Sequence, residues 1–208
     1  MAAGACSLAY LPLTDSRESW TRSLLKTASV LLLALAAWST GAPVALVLAL
    51  AICAAGDFFL SRDGDTSFMT GVASFAAGHV VYTVLFLTRP GSDIANAFTF
   101  PQLFLVAALI LLGATAGARI LPAAGELRLP VMIYIPIILA MGLAALALPE
   151  GPTARLAIIS AFAFAISDFV LAVEKFLLSD GHPARRVTPY VIWPLYWGAQ
   201  AGFLAAFA

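Results

Sequence analysis

Residues 67–88 read SFMTGVASFAAGHVVYTVLFLT, a run that contains no Asp, Glu, Lys or Arg. A helix needs around 20 mainly apolar residues to cross the hydrocarbon core of a bilayer, so this run is long enough to span one. One face of that helix carries aromatic and histidine side chains at positions i, i+4, i+7 and i+11, namely Phe75, His79, Tyr82 and Phe86. The run therefore predicts a transmembrane helix with a polar patch on one face.

Small residues follow an adjacent face of the same helix. Gly71, Ser74 and Gly78 recur at spacings of three and four. In membranes, small side chains allow a neighbouring helix to approach closely. We therefore expect His79 and Tyr82 to lie at a seam with a packed partner helix.

The rest of the chain is almost as apolar. It is 62% hydrophobic and 11% charged, with a mean hydropathy of +0.98, whereas soluble domains carry about 25% charged residues. Runs of spanning length are predicted near residues 23–40, 43–60, 67–88, 100–118, 129–148, 153–178 and 187–207. The opening stretch, residues 1–13, is apolar but short. These runs predict one all-α domain over residues 1–208, a polytopic transmembrane bundle of about eight helices with a short first helix.

Charge predicts orientation and excludes one class of partner. Two basic residues, Arg89 and Arg155, fall on one side of the predicted bundle. The other nine fall on the opposite side: Arg17, Arg22, Lys26, Arg62, Arg119, Arg128, Lys175, Arg185 and Arg186. Since basic loops face the cytoplasm, we expect both termini outside and an integral protein of a bacterial inner (cell) membrane. The formal net charge is zero, which gives no reason to expect a nucleic-acid partner.

Three ionisable residues lie inside or at the end of predicted spans: Asp57, His79 and Asp168. A carboxylate near the bilayer centre costs roughly 2.5–3.5 kcal/mol on insertion scales, so such residues usually face a protein interior or a polar cavity. On the predicted orientation these residues, with Lys26, Lys175 and Gln200, could line one cavity that opens towards the cytoplasm. The sequence therefore predicts a buried polar site.

Structural alternatives remain open for these residues. His79 could bond to a carbonyl across the bundle, and Asp57 could pair with Arg62 or cap the following helix. Asp168 could form an ion pair with Lys175 or Lys26. One intramembrane histidine and two aspartates would be a minimal zinc ligand set, and we predict neither a metal nor a cofactor.

A family resemblance extends these predictions. The pattern Gly56-Asp57-x-x-Leu60, followed by Phe68-x-x-Gly71-x-x-x-Phe75-x-x-x-His79-x-x-Tyr82, resembles the YhhN family of membrane proteins, whose animal members include lysoplasmalogenases. Further similar stretches are Lys26, Ser167-Asp168, Lys175-Phe176 and Tyr196-x-x-x-Gln200. The resemblance implies hydrolysis of the vinyl-ether bond of lysoplasmalogens, by carboxylate acid/base chemistry. The products would be a fatty aldehyde and glycerophosphoethanolamine or glycerophosphocholine.

The same resemblance implies roles for individual residues. The catalytic candidates are Asp57, His79 and Asp168. One aspartate would act as the acid and the other as a base or charge stabiliser, an assignment that stays open, while His79 would orient water or share the proton. The substrate-binding candidates are Lys26, Tyr82, Lys175, Tyr196 and Gln200, with the two lysines placed to receive the phosphate of a lysophospholipid. The alternative function is a proton-coupled transporter or a lipid-handling protein without hydrolytic activity. The oligomeric state stays open.

Overall fold

The protein folds as an all-α bundle of eight helices. The computed structural model describes residues 1–208. The helices are α1 (Ala2–Tyr10, followed by a 3₁₀ turn at Leu11–Leu13), α2 (Trp20–Ser39), α3 (Val44–Leu60), α4 (Asp65–Leu87), α5 (Gln102–Ala123), α6 (Arg128–Leu146), α7 (Pro152–Leu177) and α8 (Thr188–Phe207). The predicted fold class is confirmed, including the short first helix.

Five helices are long and apolar enough to cross a membrane: α2, α4, α5, α6 and α7. The apolar helices α1 and α3 are shorter. Helix α5 extends beyond the predicted boundary at residue 118 and ends at Ala123. Arg119 lies inside it without interrupting it, because a long arginine side chain can keep its charge at the interface while its stem stays apolar. The chain turns after α5 at Gly125, whose φ is 52°.

Consecutive helices run antiparallel, so the charge pattern maps onto the two ends of the bundle. The last turns of α1, α3, α5 and α7 and the first turns of α2, α4, α6 and α8 form one end. Nine of the eleven Lys and Arg residues lie at this end, which is called the basic end below. Its exposure to the cytoplasm stays a prediction from charge.

The small-residue face of α4 packs closely against α3. A Cβ atom added at Gly71 would lie 2.7 Å from the Leu60 side chain, and one added at Gly78 would lie 2.6 Å from Cys53 Sγ. A larger residue at either position would force the Leu60 or Cys53 side chain of α3 to move. His79, on the neighbouring face of α4, is fully buried against Tyr134 of α6 and Phe164 of α7.

Helix α8 packs between α7 and the short α1. A Cβ added at Gly202 would overlap Ser160 Oγ of α7, so these two helices are also in close contact. On the other side, the Trp193 indole donates a hydrogen bond to the Ser7 carbonyl of α1, at 3.2 Å. The Tyr10 and Trp193 rings pack edge to face with centroids 4.4 Å apart. Helix α1 thereby covers α8 near the basic end.

Candidate active site

Two cavities lie side by side in the half of the bundle nearest the basic end. The polar cavity has a volume of about 250 Å³ and lies between residues of α1, α2, α3, α4, α7 and α8. The apolar cavity has a volume of about 110 Å³ and lies between α4, α5, α6 and α7, with 19 of its 23 lining residues hydrophobic. Six residues line both cavities: Leu60, Phe68, Phe75, Asp168, Leu171 and Lys175. Asp168 is the one carboxylate that lines both.

Asp168 lies on α7, where its side chain accepts a hydrogen bond from α6 and faces α4. The Tyr134 hydroxyl donates a hydrogen bond to Asp168 Oδ2 at 2.5 Å. His79 Nε2 lies 3.9 Å from the same oxygen. The Asp168 side chain is 17% exposed, so it is open to the cavities while its Oδ2 is bound. Three helices therefore position one carboxylate at the shared wall.

His79 lies behind Asp168 and lines neither cavity. Its Nδ1 is 3.4 Å from the Tyr134 hydroxyl oxygen, and its Nε2 has no hydrogen-bond partner. The Phe164 ring packs edge to face against the imidazole, with centroids 4.5 Å apart. The predicted alternative of a bond to a carbonyl across the bundle is not found. His79 reaches the cavities only through Asp168 and Tyr134.

Asp57 forms a second polar group at the end of α3, and it lines the polar cavity only. The Tyr196 hydroxyl donates to Asp57 Oδ2 at 2.6 Å, and Lys26 Nζ lies 3.5 Å from Oδ1. The Asp57 side chain is 1% exposed and that of Lys26 is 13% exposed. Asp57 does not cap α4, which begins after Gly64 without a side-chain cap. The pair is thus a nearly buried ion pair within the cavity wall.

The ion pairs offered as structural alternatives do not form. Arg62 pairs with Glu18 in the loop before α2, so the alternative Asp57–Arg62 pair is not found. Asp168 has no Lys or Arg nitrogen within 4.0 Å. The Lys175 ammonium instead lies over the Phe68 ring, 4.6 Å from its centroid. Neither carboxylate is therefore explained by a surface ion pair.

Tyr82 and Gln200 lie deeper in the bundle than either cavity. The Tyr82 hydroxyl donates to Gln200 Oε1 at 2.5 Å, and both residues are fully buried. At 1.5 Å per residue, Tyr82 is about 10 Å further along α4 than Phe75, the last α4 residue to line a cavity. The expectation that the intramembrane polar residues line one cavity is therefore wrong for His79 and Gln200. It holds for Lys26, Asp57, Asp168 and Lys175.

Three site residues were not predicted from the sequence. Tyr134 contacts Asp168 and His79, while Arg22 and Arg185 line the polar cavity. Tyr134 stands alone among apolar residues of α6, and its only signal is that a tyrosine hydroxyl buried in a span needs a partner. The two arginines were counted only as topology signals, because basic residues near span ends are common for that reason.

The site offers carboxylates, hydroxyls and cations rather than a set of metal ligands. No three His, Cys, Asp or Glu side chains come together closely enough to hold a metal ion. A carboxylate that faces both an apolar and a polar cavity can exchange a proton with a molecule that occupies both. The geometry thus fits acid/base chemistry on an amphipathic substrate.

A comparison with protein families gives one match. A sequence model of the YhhN family matches residues 21–207. No significant match is found among curated proteins or among solved structures.

Proposed function

The chain belongs to the YhhN family, and from that premise we propose that it is a membrane hydrolase of the lysoplasmalogenase type. Its substrate would be a lysophospholipid whose single chain is joined to glycerol through a vinyl ether. The products would be a fatty aldehyde and the glycerophospho-headgroup, glycerophosphoethanolamine or glycerophosphocholine.

The observation that carries this proposal is the position of Asp168 on the wall between two cavities of opposite character. A single-chain ether lipid has an apolar chain, a polar headgroup and one ether linkage where they meet. With the chain in the apolar cavity and the headgroup in the polar cavity, that linkage lies at their shared wall. Asp168 is the carboxylate on that wall.

The chemistry follows from the electron-rich alkene of a vinyl ether. Asp168 donates its proton to the distal alkene carbon, and the electron pair of the ether oxygen stabilises the resulting oxocarbenium ion. Water adds to the carbon bonded to oxygen and loses a proton to a carboxylate, which forms a hemiacetal. The hemiacetal then breaks its bond to the glycerol oxygen, which takes up a proton. One water is consumed, and the acid is restored, as in glycoside hydrolysis.

The two carboxylates have different surroundings, which suggests different roles. Asp168 has no cation within ion-pair distance, borders the apolar cavity and is held by Tyr134, so we assign it as the acid. Asp57 has Lys26 beside it and borders only the polar cavity. We assign it as the carboxylate that orients water and stabilises positive charge on the headgroup side.

His79 and Tyr134 act on Asp168 rather than on the substrate. Both lie beside Asp168, His79 lines neither of the two cavities, and Tyr134 lines the apolar cavity with its hydroxyl on Asp168. In this role they fix the orientation of the carboxyl group and share its proton between steps. Preorganised partners of this kind keep a catalytic group in productive geometry.

A lysophospholipid panel tests the proposal. The purified protein is incubated with alkenyl, alkyl and acyl lysophospholipids, and aldehyde, fatty acid and headgroup are measured separately. We expect aldehyde and headgroup in equal amounts from the alkenyl lipid alone, and loss of turnover in Asp168→Asn. Wild-type turnover in a correctly folded Asp168→Asn protein would remove this residue from the mechanism.

The same preparation distinguishes the alternative function. Proton-coupled uptake of lipid into vesicles, without release of aldehyde from any lipid of the panel, would identify a transporter or lipid-handling protein. Uptake that occurs only after aldehyde has been released would agree with the hydrolase.

We further propose that the polar cavity opens towards the cytoplasm, which follows from the charge bias of the basic end.

A further inference from the structure

Arg22, in the first turn of α2, has no anionic partner although it lines the polar cavity. Its Nη1 donates to the Ser61 carbonyl at 3.0 Å. Its Nε is buried and has no hydrogen-bond partner, and no carboxylate oxygen lies within 4.0 Å of its side chain. A buried guanidinium donor without a partner is costly, so it is a position where an anion would be stabilised.

The Arg22 side chain is fixed by the packing of α2 on α3. Ser61 Oγ donates to Ser23 Oγ at 2.7 Å in a buried contact, and the Ser61 carbonyl holds Arg22 Nη1. A guanidinium that is already oriented loses little conformational freedom when it binds an anion. This arrangement is built into the wall rather than being a mobile surface arginine.

Three other cations line the same cavity, and two of them are already engaged. Lys26 pairs with Asp57. Arg185 donates to the carbonyls of Leu178 and Glu174 at the end of α7, and its Nη2 lies 3.6 Å from the Asp180 carboxylate. Lys175 has no carboxylate partner and lies over an aromatic ring of α4. Arg22 and Lys175 are therefore the two lining cations that have no carboxylate partner.

We propose that Arg22 and Lys175 form a phosphate-binding site in the polar cavity. Arginine binds phosphate oxygens through parallel N–H donors, and lysine adds a point charge. The sequence led us to expect that Lys26 and Lys175 bind the phosphate together. Arg22 takes the place of Lys26 in this site, because Lys26 is held by Asp57. The phosphate is either that of a lipid headgroup or that of a free phosphate ester. Its identification as a lysoplasmalogen phosphate rests on the proposed function, whereas the phosphate chemistry does not.

Binding of a lipid that cannot be hydrolysed tests this site. The probe is a saturated 1-O-alkyl lysophospholipid, and the matched uncharged probe is the 1-O-alkylglycerol with the same chain. Arg22→Gln and Lys175→Gln are each expected to weaken phospholipid binding by about 10- to 100-fold, the range for a charged hydrogen bond. Alkylglycerol binding is expected to change less than about 2-fold. Arg155→Gln, at the other end of the bundle, is the control and should bind both probes as the wild type does.

The controls separate a phosphate site from a folding defect. Arg22→Lys keeps the charge and is expected to lose less affinity than Arg22→Gln, with the thermal unfolding midpoint measured for every variant. Unchanged phospholipid binding in both Gln variants would overturn the proposal, as would equal weakening of both probes by a correctly folded variant. Competition by sn-glycerol 3-phosphate supports a site open to free phosphate esters. Phospholipid-selective binding without that competition supports a lipid headgroup site.

The outcomes are independent of the hydrolase assay. If the Gln variants lose phospholipid binding but no aldehyde is released by the wild type, the phosphate site stands and the hydrolase proposal fails. If aldehyde release depends on Asp168 while binding is insensitive to Arg22 and Lys175, the hydrolase stands and the phosphate site fails.

Discussion

Removing one partner of the Lys26–Asp57 pair should destabilise the protein strongly, because both groups are nearly buried. Its closest N···O distance is 3.5 Å. Coulomb's law with an effective dielectric constant of about 20 gives roughly 5 kcal/mol for two unit charges at that distance. Removing one partner leaves the other charge buried and unpaired, which typically costs about 3–5 kcal/mol. We therefore expect Lys26→Met to lower the free energy of unfolding by about 3–5 kcal/mol.

A double-mutant cycle isolates the interaction. Lys26→Met, Asp57→Asn and the double variant are purified in the same detergent, and the free energy of unfolding is measured by denaturant titration. The double variant should be less destabilised than the sum of the single variants by about 2–5 kcal/mol, because neither charge is then left alone. The Arg62–Glu18 pair is the matched control, because its side chains are 24% and 26% exposed. Solvent screens that pair more strongly, so its coupling should be about 1 kcal/mol or less.

Additive effects of the two substitutions on the free energy of unfolding would contradict a buried ion pair. If the Lys26 and Asp57 substitutions add within about 0.5 kcal/mol, the two groups do not interact as a buried ion pair. The same conclusion follows if the Arg62–Glu18 cycle gives an equal coupling energy, since burial would then make no difference.

Other substitutions test the acid, the apolar cavity and the packing of α7 on α8. Tyr134→Phe should lower kcat by about 10- to 100-fold with little change in KM, whereas Tyr190→Phe, exposed on α8, should match the wild type. Equal kinetics in both variants would contradict the role of Tyr134. Ala116→Phe should raise KM for long-chain lipids more than for short-chain ones, because residue 116 lines the apolar cavity; a uniform change would contradict this. Gly202→Ala should lower the free energy of unfolding by about 1–3 kcal/mol, through overlap with Ser160 Oγ. Adding Ser160→Ala should restore part of this loss, and no restoration would place the strain elsewhere.

The helices could be predicted from the sequence because most apolar runs have the length that a bilayer requires, and turn residues separate them from the shorter runs of α1 and α3. The glycine face of α4 was also predictable, since close helix approach in membranes depends on small side chains. The largest difference is at the end of α5, predicted near residue 118 and found at Ala123, because the helix continues past Arg119, whose charge can extend to the interface.

The polar site was only partly predictable. The cost of burying a carboxylate marks Asp57 and Asp168 as residues that need partners, but it does not say which partners. Tyr134 has no periodic pattern that connects it to Asp168, so the contact depends on the packing of α6 on α7. The division into two cavities was not predictable either, because it depends on which side chains fill the space between α4 and α7.

Basic residues in this chain have two different roles, one in membrane orientation and one in the wall of the polar cavity. Basic residues near span ends predict orientation, so Arg22 carried no site information in the sequence. In the structure its Nε is buried without a partner in the cavity wall. Only the three-dimensional contacts separate this cation from those that merely set topology.

Turnover of an alkenyl lysophospholipid in D₂O shows whether Asp168 protonates a vinyl ether. The aldehyde product is trapped by reduction and its deuterium content is measured by mass spectrometry. Protonation of the distal alkene carbon predicts one deuteron on the carbon next to the former aldehyde carbon, and no product from Asp168→Asn. An aldehyde without deuterium, or a correctly folded Asp168→Asn protein that releases labelled aldehyde at the wild-type rate, would contradict the account.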